Sequence, residues 1–268
     1  MTEALPMPAW AGPALRRIYA ERAYSERYRN ADFDWDLFNP EWYCAHNYLK
    51  LRDDDTAIMR KVGEFFSGAL AQSAPRPRGL DVGSGPNLYP AMAMLPFCES
   101  VDLREYSRSN VRWLSRQARY YDRHWDQFWK VYQDFSGYDK IGNPRQALAK
   151  RARIERASIF HLPEREWDLG TMFFVAESLT RDPMEFWAAA HAFIRALRPG
   201  APFAAAFMAD SEGYTVDDRF FPAVAVGPSD VEDCLSVVAD RVVIQMVETK
   251  SPLRRGYGGM ILAMGVAR

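Results

Sequence analysis

The chain has 268 residues, of which 48% are hydrophobic and 26% charged, with a formal net charge of −1. A chain of this size and balance builds a core without disulfide or metal staples, and its charge argues against the cationic surface that nucleic acid requires. The cysteines (Cys44, Cys98, Cys234) and histidines (His46, His124, His161, His191) form no CxxC pair and no zinc-ligand spacing, so no metal is expected, and the odd cysteine count suits a reducing cytoplasm.

The start, MTEALPMPAW, has no basic stretch followed by an apolar run, so no secretory leader is expected. No apolar run approaches the roughly 20 residues of a membrane span. The first residues mix Arg, Tyr, Pro and acids and read as an arm with a helix over 13–28. From 53 to 72, Ile58, Val62, Phe65, Phe66, Ala69 and Leu70 fall at helical spacing, and Pro75 and Pro77 end that helix. Residues 78–82 read as a short buried strand closed by the turn GSGP, and 100–103 as a second strand. A helix over 107–119 follows, with Ser107 as N-cap. Residues 120–156 are aromatic and basic and read as helical with a break at 142–144; their last stretch, KRARIER (150–156), reads as a solvated helix face. Strands are expected at 157–160, 169–175, 203–208, 242–247 and 261–266, with helices at 184–197 and 231–239. Strands alternating with helices predict an α/β protein with a mostly parallel sheet covered on both faces. The last two strands have no helix between them and should pair as a hairpin, which leaves the final strand antiparallel.

The strongest local signal is RGLDVGSGPNLYP (78–90), a strand running into a turn with Gly83 and Gly85. Glycine permits positive φ and close approach of a ligand, and in an open α/β sheet this turn lies where ligands bind. The third glycine of GxGxxG is missing, Pro86 removes one N–H, and no Lys-Ser or Lys-Thr follows. The turn therefore suits a nucleoside without a phosphate. A ribose diol needs a carboxylate near the end of the second strand, and SVDLREYS offers Asp102, within the strand, and Glu105, expected just past its end. Either feature alone is also an ordinary strand–helix connection; together, about 20 residues apart, they favour a nucleoside site.

FNPEWYCAHNY (38–48), LDVGSGPNLY (80–89) and REYSRSN (104–110) resemble successive motifs of the methyltransferase family that contains nicotinamide N-methyltransferase, phenylethanolamine N-methyltransferase and thioether S-methyltransferase. The resemblance runs from about Phe38 to the C-terminus, with a weak middle. It implies a Rossmann-like class I methyltransferase fold, with a seven-stranded mostly parallel sheet, an antiparallel last strand, helices on both faces and an N-terminal helical lid. It divides the chain into an arm and lid (1–52) and a main domain (53–268) with a cap insertion near 120–156. It also implies S-adenosylmethionine as cofactor. Tyr43 and Tyr48 match the two lid tyrosines; Gly83, Ser84 and Gly85 match the turn beside the methionine moiety, and Tyr89 its tyrosine. Glu105 matches the ribose acid, Tyr106 the aromatic that stacks on adenine, and Asn110 the polar residue one turn into the next helix. Asn87 stands where the family has Thr or Ser, and Ser158 where an Asp bonds the adenine amine, with Ile159 beside the ring. Aromatic faces attract a sulfonium cation, and 14% of this chain is aromatic.

On the acceptor side, Glu177 in FFVAESL matches a carboxylate of the amine-methylating members and is a candidate to orient an amine or take its proton. A helix-start acid is the plainer reading of it. In FMADSEGY (207–214), Tyr214 and Ser211 match acceptor-binding positions, the family's acid position is Phe207, and Asp210 is a shifted substitute. Residues 120–138 are expected to cap the pocket or to pack on the sheet. The function this implies is methyl transfer to a small-molecule acceptor, an amine or heteroaromatic nitrogen, by a cytoplasmic monomer or homodimer with no nucleic-acid or membrane partner. Transfer to oxygen, sulfur or carbon, cyclisation of the cofactor, and a non-catalytic binding protein are the competing readings.

Overall fold

The computed structural model describes residues 28–70, 73–74, 76–249 and 258–268, and the helix expected over 13–28 lies outside them apart from its last residue. Two short 3-10 turns, Asn30–Asp32 and Trp35–Leu37, lead into helix α1 (Pro40–Asn47). The Asn39 side chain accepts from the Trp42 N–H at 3.0 Å and Pro40 takes the first helical position, so the FNPEWY motif is a helix start. Helix α2 (Asp53–Leu70) buries Ile58, Val62, Phe66 and Leu70 of the stripe its spacing predicts, together with Met59, while Phe65 is half-buried and Ala69 exposed. Strand β1 (Arg76–Val82), helix α3 (Tyr89–Met94), strand β2 (Cys98–Glu105) and helix α4 (Arg108–Arg119, capped by Ser107) follow. Next come α5 (Asp126–Tyr132), α6 (Pro144–Arg151), β3 (Ala152–Arg156), β4 (Leu169–Phe173), α7 (Pro183–Ala196) and β5 (Pro202–Ala209). The described chain ends with β6 (Gly213–Val216), β7 (Arg219–Pro222), α8 (Pro228–Leu235), β8 (Ala239–Val247) and β9 (Gly259–Ala267).

Seven strands form one sheet in the order β3-β2-β1-β4-β5-β9-β8. All of its neighbours are parallel except β9, which runs antiparallel to both β5 and β8, as expected of the last strand. Helices α2 and α3 cover one face, packing Phe66, Met92 and Met94 with the strand residues Val101 and Leu103. Helices α7 and α8 cover the other through Phe186, Phe193 and Leu235. Strand order reverses between β1 and β4, so a crevice opens at their carboxyl ends. Among the described residues no helix is long and apolar enough to cross a membrane.

Three expectations are corrected. The third strand is not 157–160 but Ala152–Arg156, which pairs with β2 from Val101↔Ala152 to Glu105↔Arg156. KRARIER thus holds the last two residues of α6 and then an edge strand, not one helix face: no residue of that strand is fully buried, so charges fill it and no apolar run marks it. Residues 120–138 do not overhang the crevice. Tyr121, Trp125, Phe128, Trp129, Tyr132 and Tyr138 are buried against α2 and α3, and the Tyr132 and Tyr138 hydroxyls donate to the Tyr89 and Ala93 carbonyls at 3.1 and 2.7 Å. The β6–β7 hairpin was not expected. Its signal is a pair of aromatic and β-branched runs around Asp217-Asp218, with Asp217 at φ 58°.

Candidate active site

The β1 turn forms the floor of the crevice. Gly83 and Gly85 have φ of 63° and 50°, and a Cβ on Gly83 would lie 2.6 Å from Val175 Cγ1, so the turn there demands glycine twice over. Glu105 is the last residue of β2 and not one beyond it. Its Oε2 accepts from the Gly85 N–H and its Oε1 from the Ser107 N–H, both at 2.8 Å, which ties the turn to the start of α4. Burial pushes the Glu105 carboxyl up, and these N–H groups pull against that shift. Tyr106 is half exposed, with the Arg156 guanidinium 5.1 Å from its ring centre.

The arm crosses over this floor. Tyr43 and Tyr48 have ring centres 6.0 Å apart, and Phe38 lies 5.1 Å from Tyr43. The hairpin closes the far side: Trp35 and Tyr214 both stack on Phe221, at 5.4 and 5.6 Å, and Phe38 lies 5.3 Å from it. The Asn39 side chain donates to Asp217 at 3.0 Å, and the Tyr214 hydroxyl donates to the Ser178 carbonyl at 3.2 Å. The enclosed cleft has about 890 Å³, counting the part open to solvent.

Twelve residues singled out in the sequence line this cleft: Tyr43, Tyr48, Gly83, Ser84, Gly85, Asn87, Glu105, Tyr106, Asn110, Ser158, Ile159 and Tyr214. Four others do not. Tyr89 is fully buried behind Tyr48, where its hydroxyl donates to Asp55 at 3.0 Å. Glu177 is also fully buried, and its Oε1 accepts from the Met208 N–H at 3.1 Å and the Ser178 hydroxyl at 2.9 Å. Asp210 is exposed, at φ 57°, with its N–H on the Val226 carbonyl at 3.1 Å. Ser211 is buried outside the cleft wall.

The reason for the Glu177 placement is local. Phe174 takes φ 61°, a left-handed conformation that costs energy for a bulky residue, and donates its N–H to the Ala206 carbonyl at 2.7 Å. From that bend Phe174, Val175, Ser178 and Leu179 line the cleft and Glu177 does not. Asn30, Trp35 and Phe38 also line it and were not singled out; of these, Phe38 stood inside a quoted motif.

The donor set fits a nucleoside with an amino-acid tail. Asn87 Nδ2 and Asn110 Oδ1 are buried with no hydrogen-bond partner among the described residues, and both residues line the cleft. One needs an acceptor and the other a donor, and such a ligand carries both. The Glu105 carboxylate also accepts from the Asn110 side chain and the Tyr106 N–H, so it holds the Asn110 amide at the edge of the cleft. Among the described residues no group of three His, Cys, Asp or Glu side chains is placed to hold a metal ion.

Similar solved structures include one with a TM-score above 0.5. The N-methyltransferase NodS from Bradyrhizobium japonicum WM9, in complex with S-adenosyl-L-homocysteine, is similar over 87% of this chain and 94% of its own, with a TM-score of 0.51 and 12% identity. A SAM-dependent methyltransferase from Methanosarcina mazei is similar over 74% of this chain and 96% of its own, with a TM-score of 0.48 and 14% identity. A 1,6-didemethyltoxoflavin-N1-methyltransferase from Burkholderia thailandensis is similar over 86% and 91%, with a TM-score of 0.47 and 16% identity. A search of curated proteins gives no match. The model of the NNMT/PNMT/TEMT family matches residues 29–255, a stretch that holds α1, the glycine turn and Glu105. The chain therefore belongs to the NNMT/PNMT/TEMT family and is an S-adenosylmethionine-dependent methyltransferase.

Proposed function

We propose that the enzyme methylates an uncharged aromatic-ring nitrogen of a small flat molecule bound beneath the arm and the hairpin. In this reading Glu105, Tyr106 and Asn110 hold the nucleoside, Ser158 and Ile159 flank its base, and Tyr43, Tyr48 and the 83–87 turn hold the methionine end. Trp35, Phe38, Phe174, Leu179 and Tyr214 remain to enclose the acceptor, and all five line the cleft.

The observation that carries the reading is the lack of a base. Glu105 is the only carboxylate among the described residues lining the cleft. An aliphatic amine is protonated near neutral pH and must lose a proton before it can attack. A neutral ring nitrogen already has its lone pair free. The donor supplies an electrophilic methyl: the N–CH3 bond forms, the C–S bond breaks, and the electron pair stays on sulfur as a neutral thioether. The positive charge passes to the product, and no proton moves. The protein's work is then to align nitrogen and methyl and to exclude water, which stacked aromatic walls do.

A thioether acceptor satisfies the same balance and is the second reading. The test is turnover to S-adenosylhomocysteine on a panel of pyridines, azoles, thioethers and primary amines at equal concentration. Ring nitrogens should react fastest. Faster reaction of primary amines would overturn the reading, and faster reaction of thioethers would replace it with the second.

A further inference from the structure

Helix α2 opens with three acids, and two of them, Asp54 and Asp55, are buried. Burial pushes Asp54 up, but hydrogen bonds from Arg52, at 3.1 and 3.0 Å, and from Thr249, at 2.9 Å, outweigh it and hold Asp54 below its ordinary value. Asp55 has no such cation on it. It is 2% exposed, and it accepts the Tyr89 hydroxyl at 3.0 Å. Burial first, and then the charge of Asp54, push it up to about 7 against the pull of Tyr89 and Arg52.

Its neighbours lead to the cleft. Tyr48, at the end of α1, feels the charge of Asp55, hydrogen-bonds Tyr43, and lies edge-on to Tyr89 at 6.1 Å. Tyr43 and Tyr48 line the cleft, whereas Asp55 and Tyr89 stand one layer behind it. Tyr89 also ties Asp55 to the glycine turn, because its N–H donates to the Asn87 side chain at 3.2 Å. The other groups facing Asp55 are Arg52 and Asp54 beside it and Tyr132 on α5. A buried acid in this position is costly, and an asparagine would satisfy Tyr89 equally well. What an asparagine lacks is charge.

We propose that Asp55 is a positioning residue for the methyl donor: from behind the cleft it holds Tyr89, and through it the Asn87 side chain of the glycine turn, and its charge is coupled to that of the cationic donor. This rests on the reading that the donor occupies the cleft. S-adenosylmethionine carries a sulfonium and an ammonium, and either one favours the ionised carboxylate across a low-dielectric layer. The sign follows. Below the free protein's transition near neutral pH, binding must release a proton from Asp55, so donor affinity falls as pH falls; above the transition it levels off.

The test is calorimetric titration of S-adenosylmethionine and S-adenosylhomocysteine into wild type and Asp55→Asn from pH 5.5 to 8.5. Between pH 7 and 6 the wild-type affinity for S-adenosylmethionine should fall by a factor of up to about ten more than the variant's, the limit for one linked proton. The donor's own amino group and Asp81, which burial also pushes up to about 7, titrate in both proteins and cancel in the comparison. The variant should also lose more affinity for S-adenosylmethionine than for the homocysteine product, which lacks the sulfonium. Identical pH profiles would overturn the proposal. Should Asp55→Asn fail to fold, Tyr89→Phe removes the hydrogen bond that lowers Asp55 and must move the wild-type transition upward; an unmoved transition overturns the proposal equally. Tyr106→Ala is the control for the cleft. Unchanged binding in that variant would place the donor elsewhere and overturn both readings, whereas weakened binding with identical Asp55 profiles would overturn this one alone.

Discussion

Gly83→Ala tests the geometry at the point where the turn, the strand and the cleft meet. Two separate costs add. Alanine at φ 63° costs about 1–2 kcal/mol, because its Cβ crowds the following carbonyl. The new Cβ would also sit 2.6, 2.7 and 3.2 Å from Val175 Cγ1, Cγ2 and Cβ. A branched side chain has few staggered positions, and turning one methyl away leaves another in its place. Overpacking of this kind costs about 1–3 kcal/mol, so the single variant should lose about 2–5 kcal/mol in urea unfolding. Val175→Ala removes both methyls and leaves the backbone term with the one milder contact to Cβ at 3.2 Å. In that background Gly83→Ala should cost about 1–2 kcal/mol, a coupling of about 1–3 kcal/mol in the double-mutant cycle. An equal cost in both backgrounds would refute the contact. A cost below about 0.5 kcal/mol, the ordinary scatter of a neutral surface change, would refute the turn conformation itself.

Three further outcomes are expected. Glu105→Ala should weaken S-adenosylhomocysteine binding by about 1.5–3 kcal/mol, the scale of a hydrogen bond to a charged group, and lower the melting temperature because the Gly85 and Ser107 N–H groups lose their acceptor; an unchanged dissociation constant would remove its ribose role. The Asp55 carboxyl is raised from 3.8 to about 7 on folding, so its contribution to stability is present below about pH 4 and is lost as pH rises through 7. Asp55→Asn should accordingly gain stability relative to wild type between pH 4 and 8, by up to about 4 kcal/mol at about 1.4 kcal/mol per unit; a gap independent of pH, read by thermal melts, would contradict the shift. Phe221→Ala removes the ring on which Trp35 and Tyr214 stack, so hydrogen exchange of residues 30–50 should accelerate and the acceptor KM should rise; unchanged exchange would mean that the hairpin does not hold the arm.

What could be read from the sequence and what could not divides along one physical line. Gly83, Gly85 and Ser107 read well because their roles are local: a positive φ, a close approach and a helix cap each leave a residue-type signature at fixed spacing. The Asn39-Pro40 helix start carries a local signal of the same kind, but that stretch is marked in the sequence only as a family motif. The acceptor end has no such signature. It is assembled from the arm, the bend after β4 and the β6–β7 hairpin, three segments far apart in sequence, and Phe221 joins two of them with no motif of its own. At the bend the decisive feature is the left-handed Phe174, which residue type disfavours and only the bond to Ala206 on β5 explains. A shift there decides that Phe174, Val175, Ser178 and Leu179 line the cleft and Glu177 does not. Spacing alone cannot resolve such a shift, because the residues on either side of it are all compatible with a strand exit. Under the proposed reading, the acceptor chemistry rests on that backbone conformation more than on any residue that the motifs mark.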